Sequence, residues 1–280
     1  MTREDAPVFV REIIKTSGDM WMKGWAEANG GNISLRLRPE KTGDLSGFAP
    51  KTGWIPLEKA LPGVAGEKFL VSGTGKFLRN IPLFPEKNVG VIELDAAGAA
   101  YRQLWGFEPD GRPTSELEAH LRSHEVIKAA SGNVKHAVIH THAPHLIALT
   151  YALALDTPRL TKLLWQSHAE CVVGFPEGVE FIPWMMAGSP EIAAATADAL
   201  LRRNLAVWQF HGVFATGRNL DAAFGLIDMA DKAAQIYLMA RAAGRVACTL
   251  TTDQVARIAA NFKVTADPAG LAADTADYFA

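Results

Sequence analysis

The chain has 280 residues, 49% of them hydrophobic, so it can bury a sizeable core and sits near the upper length at which one domain stays undivided. Its 28 basic and 30 acidic residues leave a net charge near −2 with no block of like charge, which argues against nucleic acid or anionic lipid and points to a small polar solute as partner. Met1 to Lys15 carries no apolar run of signal-peptide length, no later segment is long and uncharged enough to span a membrane, and two cysteines, Cys171 and Cys248, are too few for a disulfide framework; the expected location is cytoplasmic.

Phe9 to Ala28 places Val10, Ile13, Ile14, Met20, Trp21 and Trp25 on one helical face, and Asn29-Gly30-Gly31 offers a left-handed exit. Ile33, Leu35 and Leu37 then alternate with Ser34, Arg36 and Arg38, the period of a half-buried strand. Pro39 to Pro62, rich in Gly, Pro and Lys, is expected to be a surface excursion, with order returning at Phe69-Leu70-Val71. Val91 to Leu94 and Tyr101 to Trp105 flank the turn Asp95-Ala96-Ala97-Gly98 and read as an antiparallel hairpin. A helix opens at Pro113, with Ser115 and Glu118 at capping-box spacing, and runs to about Ala130 before Gly132 ends it. Ala137 to His142 is a short strand. Helical runs follow at Pro144 to Ala154, Pro190 to Arg202 and Leu220 to Ala243, and strand-like stretches at Cys171 to Val173, Val179 to Trp184 and Ala206 to Phe210. This mixed order predicts a single α/β domain over residues 1–280, a layered sandwich with a largely antiparallel central sheet covered by helices on both faces.

The histidines carry the first chemical signal. His140 and His142 lie two apart on a strand, so both rings point to one face, where two neutral imidazoles can chelate a metal. Catalytic zinc commonly takes three protein ligands and leaves one position open, and His211, at a strand end before Gly212, is the most plausible third donor. Spacing alone leaves a plainer alternative, strand-end histidines satisfied by hydrogen bonds. His120 and His124 are one helical turn apart and read as part of a solvated face; His145 reads as a surface residue, and neither His136 nor His168 has a local partner that makes a case.

Asn29-Gly30-Gly31-Asn32 and Ser72-Gly73-Thr74-Gly75-Lys76 are turns whose small residues can aim backbone N–H groups at a phosphate, though either can equally be a connector. The second is not a nucleotide-binding P-loop, since Leu70 stands where that motif needs its first Gly and Phe77 where it needs Ser or Thr. Glu116 sits at a helix start, where an acid stabilises the helix; beside a metal it would serve as a base acting on substrate carbon. Glu170, ahead of Cys171-Val172-Val173, reads as a solvated acid or a second acid/base group.

Taken together, Lys23-Gly24-Trp25 through Asn32, Ser72 to Phe77, Pro113-Thr114-Ser115-Glu116, His140-Thr141-His142-Ala143 and Phe210-His211-Gly212-Val213-Phe214 resemble the class II, zinc-dependent aldolase family, adducin-like proteins included. The likeness extends to the packing segments Leu146 to Tyr151 and Phe224 to Asp228 and so covers nearly the whole chain. It implies one zinc per subunit on His140, His142 and His211, Glu116 as the base, and a substrate phosphate held by Asn29, Gly31, Asn32, Thr74, Thr114 and Ser115. It further implies a homotetramer in which Glu170 reaches a neighbouring subunit's site, and reversible cleavage of a ketose phosphate into dihydroxyacetone phosphate and an aldehyde. Epimerases, dehydratases and non-catalytic adducin-like modules share the fold and stand as alternatives. Thr74 stands where the family pattern has Ser, which keeps the hydroxyl, and Pro39 to Pro62 resembles an extra segment of the longer members.

Overall fold

The computed structural model describes residues 7–38, 45, 47–244 and 246–279. Its strands are β1 (Asn32–Arg36), β2 (Ile55–Pro56), β3 (Lys68–Ser72), β4 (Val89–Leu94), β5 (Ala100–Gly106), β6 (Ala137–Thr141), β7 (Glu180–Ile182), β8 (Leu205–Trp208) and β9 (Gly212–Gly217). Its helices are α1 (Arg11–Met22), α2 (Pro85–Asn88), α3 (Leu117–Ala130), α4 (Pro144–Ala152), α5 (Thr157–Ser167), α6 (Glu170–Gly174), α7 (Pro190–Leu200), α8 (Leu220–Ala242), α9 (Thr252–Phe262), α10 (Pro268–Ala272) and α11 (Ala276–Phe279). The fold is mixed α/β, and no helix among the described residues is long and apolar enough to cross a membrane.

The chain forms two compact units, neither of them a continuous segment. The first gathers Met1–His142, Met185–Leu201 and Thr216–Phe224; the second gathers Ala143–Trp184, Arg202–Ala215 and Gly225–Ala280. Strand order in the first is β2-β5-β4-β3-β1-β6, all neighbours antiparallel. In the second, β8 pairs antiparallel with β9 and parallel with β7, so the largely antiparallel sheet expected from the hairpin signal is present. All residues of β1, β6, β8 and β9 are buried, which requires both faces of these strands to be covered.

Several local expectations are corrected. α1 ends at Met22, not Ala28: Gly24 takes the left-handed exit at φ +73°, and Trp25 N reaches back to Met20 O, so the earlier of two glycine signals wins. β1 is buried on both faces rather than half-buried. Residues 39–44 and 46 of the expected excursion lie outside the described residues, but its later part is structured: β2 pairs with β5, and Leu61 is buried in the core. Cys171 to Val173 belongs to α6, because a short apolar run has no period that separates strand from helix. Ser115 and Glu118 form no capping box; Glu118 instead accepts from Glu58 N and pairs with Arg122. The sequence reading passed over α5, capped by Asp156, α9, which carries a capping box of Thr251 and Gln254, and the strand β9.

The first unit's core fixes α3 on the sheet. Phe69 and Val71 of β3, Ile92 and Leu94 of β4 and Tyr101 of β5 share one face and pack with Leu117 and Leu121 of α3. Phe69 is fully buried and its ring also lies 5.0 Å from His124. Replacing Phe69 by Ala should cost about 3–5 kcal/mol, read as a lower urea midpoint; a loss below about 1 kcal/mol would mean that this layer is not the core that holds α3.

Candidate metal centre and base

β1 lies between β3 and β6 and runs antiparallel to both, so the start of β1 meets the ends of its two neighbours. Asn32 stands opposite His140 and Ser34 opposite Val138, and alternation places Asn32, Ser34 and His140 on one face. Ser72, at the end of β3, accepts from Ile33 N through Oγ at 3.0 Å and from Thr114 N through its carbonyl at 2.9 Å, while Thr74 N donates to Arg112 O at 2.9 Å. Strand order therefore brings Asn32, Thr74, Thr114 and Glu116 to one end of the sheet from distant parts of the sequence.

The segment between α1 and β1 clasps the end of β6. Trp25 O accepts from His142 N at 3.0 Å and from Thr141 Oγ1 at 2.7 Å. His142 Nδ1 lies 2.6 Å from Glu27 Oε1, and a histidine that donates there keeps its lone pair at Nε2, as metal-ligating histidines do. Gly30 packs under that ring: a Cβ at Gly30 would sit 2.8 Å from His142 Nδ1 and 2.9 Å from Glu27 O. Gly31, at φ +75°, turns the chain into β1, and a Cβ there would sit 3.0 Å from His140 O. Glu27 had no place in the sequence reading; Gly30 was read as part of a turn, but not which histidine it faced.

His140 is 1% exposed, and its ring lies 5.4 Å from that of His142 at 72°. His211 occupies the tight turn between β8 and β9, its N–H on Trp208 O. Ring nitrogens of His140, His142 and His211 come within 4.8 Å of one another, and no other group of three potential ligands does so among the described residues. Three imidazoles are a fitting donor set for zinc or a similar divalent ion, with coordination positions left for substrate oxygen.

Glu116 is the residue before α3, and its carboxylate Oε2 lies 3.7 Å from His140 Nε2 and accepts from Asn32 Nδ2 at 2.9 Å. Thr114 is buried, and its Oγ1 accepts from Glu116 N, whereas Asn29, Thr74 and Ser115 expose their polar groups. A cleft lined by Glu58, Ser115, Glu116, Glu118 and Ser189 opens beside the carboxylate. Glu170 is exposed at the start of α6 in the second unit.

His120 and His124 are not on a solvated face. Both are fully buried against β1: Ser34 Oγ lies 2.6 Å from His120 Nδ1 and 2.8 Å from His124 Nε2, and His120 Nε2 bonds Asn32 Oδ1. Polar partners on β1, invisible in the helix's own pattern, are what make that burial tolerable. Desolvation holds the His120 pKa down to about 3 and that of His124 well below its usual 6.5. His145 is half-buried and paired with Asp231 at 2.9 Å.

A family model described as "Class II Aldolase and Adducin N-terminal domain" matches residues 11–238, a span that takes in parts of both units. Rhamnulose-1-phosphate aldolase from Escherichia coli O7:K1 is 44% identical over 259 residues, which cover 92% of this chain and 94% of that protein. The protein of that name from Pectobacterium carotovorum is 43% identical over 258 residues, with 92% and 94% covered. Among solved structures, a sugar-phosphate aldolase from Thermotoga maritima superposes with a TM-score of 0.73 at 28% identity, covering 84% of this chain and 96% of its own.

Two outcomes are expected. Gly30→Ala should push the His142 ring aside and weaken zinc binding by about tenfold or more, read by competition with a chelating dye; unchanged affinity would remove His142 from the ligand set. His120 and His124 titrate near 6.5 when unfolded and lower when folded, so the unfolded chain binds more protons below 6.5. Stability is therefore whole above that pH and falls as pH drops from 6.5 towards 3, by about 1.4 kcal/mol per pH unit for each histidine that is protonated only on unfolding. Urea melts of chelator-treated protein at about pH 7 and about pH 5 measure this slope, and a flat profile would contradict the buried neutral pair.

Proposed function

Because the chain belongs to the class II aldolase and adducin family, we propose that it cleaves L-rhamnulose 1-phosphate reversibly into dihydroxyacetone phosphate and L-lactaldehyde, a step in rhamnose breakdown. The observation that carries this reading is the carboxylate of Glu116, 3.7 Å from His140 within reach of a three-histidine cluster. The near-complete coverage of the rhamnulose-1-phosphate aldolases supports the substrate.

In this reading His140, His142 and His211 hold one zinc ion per subunit. Bound there, zinc supplies Lewis acidity toward the carbonyl oxygen and the adjacent hydroxyl oxygen of the ketose phosphate. Glu116 handles the proton: it takes one from the carbon next to the carbonyl of dihydroxyacetone phosphate in condensation and returns it in cleavage. Asn29, Gly31, Asn32, Thr74, Thr114 and Ser115 hold the phosphate and so fix the reacting carbon against the base. The exposed side chains of Asn29, Thr74 and Ser115 suit that role; Asn32, bonded at both ends of its amide to protein, has only its second amide hydrogen to offer. The two units act as one catalytic domain, four chains assemble, and Glu170 serves the site of a neighbouring subunit as a further acid/base group. A cytoplasmic location goes with this metabolism.

Purified, zinc-loaded protein incubated with rhamnulose 1-phosphate should release dihydroxyacetone phosphate faster than with its epimers, fuculose 1-phosphate included. Chelation should abolish the activity and added zinc restore it, whereas full activity without metal would sink the proposal. Glu116→Gln should keep zinc, lose exchange of the dihydroxyacetone phosphate proton with solvent, and lower kcat by about 10²–10⁴-fold. An intact three-histidine set beside a carboxylate speaks against a non-catalytic, adducin-like role.

A further inference from the structure

A hydrogen-bonded row runs through the interior of the first unit from α3 to the carboxylate of Glu116. It comprises His124, Ser34, His120 and Asn32, in that order, and every member is nine-tenths or more buried. We propose that this row is a positioning relay, in which the tautomers of His124 and His120 and the amide of Asn32 hold the Glu116 carboxylate at its working orientation. The proposal rests on Glu116 acting as the base.

The direction of every bond in the row follows from one end. An ionised carboxylate only accepts, so Asn32 must turn its Nδ2 to Glu116 and its Oδ1 to His120. Asn32 Oδ1 only accepts, so His120 carries its hydrogen at Nε2 and leaves Nδ1 bare. Ser34 must then donate its hydroxyl hydrogen to His120 Nδ1, at 2.6 Å, and accept from His124 Nε2–H, at 2.8 Å. His124 is left with a bare Nδ1, and that buried atom has no hydrogen-bond partner among the described residues, which is tolerable for a lone pair and costly for an N–H. Burial keeps both rings neutral, so each has one donor and one acceptor, as the row requires.

Reversing any one bond would set two acceptors or two donors face to face, so the row has a single low-energy arrangement while Glu116 is ionised. Asn32 is anchored at its backbone by pairing with His140, and α3 anchors both histidines, so the relay ties the base to the strand that carries a metal ligand. Neither His124 nor Ser34 touches Glu116; their effect passes through His120 and Asn32.

The test uses the zinc-loaded full chain. His124→Leu keeps the packing on Phe69 and removes the donor; Ser34→Ala breaks the row at a second point. Each should lower kcat and the solvent exchange of the dihydroxyacetone phosphate proton together, by about tenfold, with KM and bound zinc unchanged. His124→Gln, which restores an N–H toward Ser34, should recover most of the loss. In the unaltered protein, histidine-selective 15N spectra should show both His120 and His124 as neutral Nε2–H tautomers, a readout that needs no variant to fold. A folded His124→Leu or Ser34→Ala with kcat within about twofold of the parent, or an Nδ1–H tautomer at either ring, overturns the relay. Proton exchange that survives in Glu116→Gln instead overturns the assignment of the base, on which the relay depends.

Discussion

Burial of β1 on both faces is the constraint from which the site follows. Asn32 and Ser34 are polar, and a strand with no wet face leaves each such group a penalty of about 1–3 kcal/mol unless a partner is found. The partners come from α3, whose His120 and His124 stand one turn apart and so meet a strand whose same-face residues repeat every second position. Docking α3 by these bonds, and by Leu117 and Leu121 in the apolar layer alongside, fixes where the helix begins. Since Glu116 is the residue immediately before it, the packing of the sheet decides the place of the carboxylate.

The histidine side of the candidate site is set by a different device. His142 lies just beyond β6, where a strand alone no longer orients a side chain. Its backbone is held by Trp25, its ring by Glu27, and the space beside the ring is kept open by Gly30. The early end of α1 at Met22 makes this possible, because nine residues of non-helical chain, Lys23 to Gly31, remain to wrap the strand end before β1 starts. A helix running to Ala28 would have enclosed Trp25 and Glu27 and left only Asn29 to Gly31 outside it.

How much was legible in the sequence depended on whether the signal was local. The hairpin of β4 and β5 is written in short periods and was read correctly, whereas the strand expected to carry both His140 and His142 ends at Thr141 and the helix expected from Pro113 begins at Leu117. Glu116 was picked out as a base only in combination with the histidines, since an acid at a helix start has an ordinary explanation. The burial of His120 and His124 was misread because their partners lie 86 and 90 residues away, and a polar pair on a helix looks the same whether it faces water or a buried serine. The clasp was missed for the same reason: Glu27 meets His142 across 115 residues, and nothing in its own neighbourhood announces that contact. Cys171 to Val173 failed for lack of length, three residues being too few to show a period.

These long-range bonds also divide the labour between charge and neutrality. A site that would bind a divalent cation with a carboxylate nearby would already hold strong charges, and further charged groups in the interior would compete for both. Neutral histidines avoid this. They supply direction without a net charge, at the cost of needing every ring nitrogen correctly paired or correctly bare. The polarity of the row is then dictated by the one charged member at its end, so the carboxylate that would do the chemistry also selects the hydrogen placement of the helix behind it. Removing the Glu116 charge should therefore be felt at Asn32 and His120 as a loss of defined orientation, well away from any substrate contact. Geometry at the base and tautomer in the core are two ends of a single constraint.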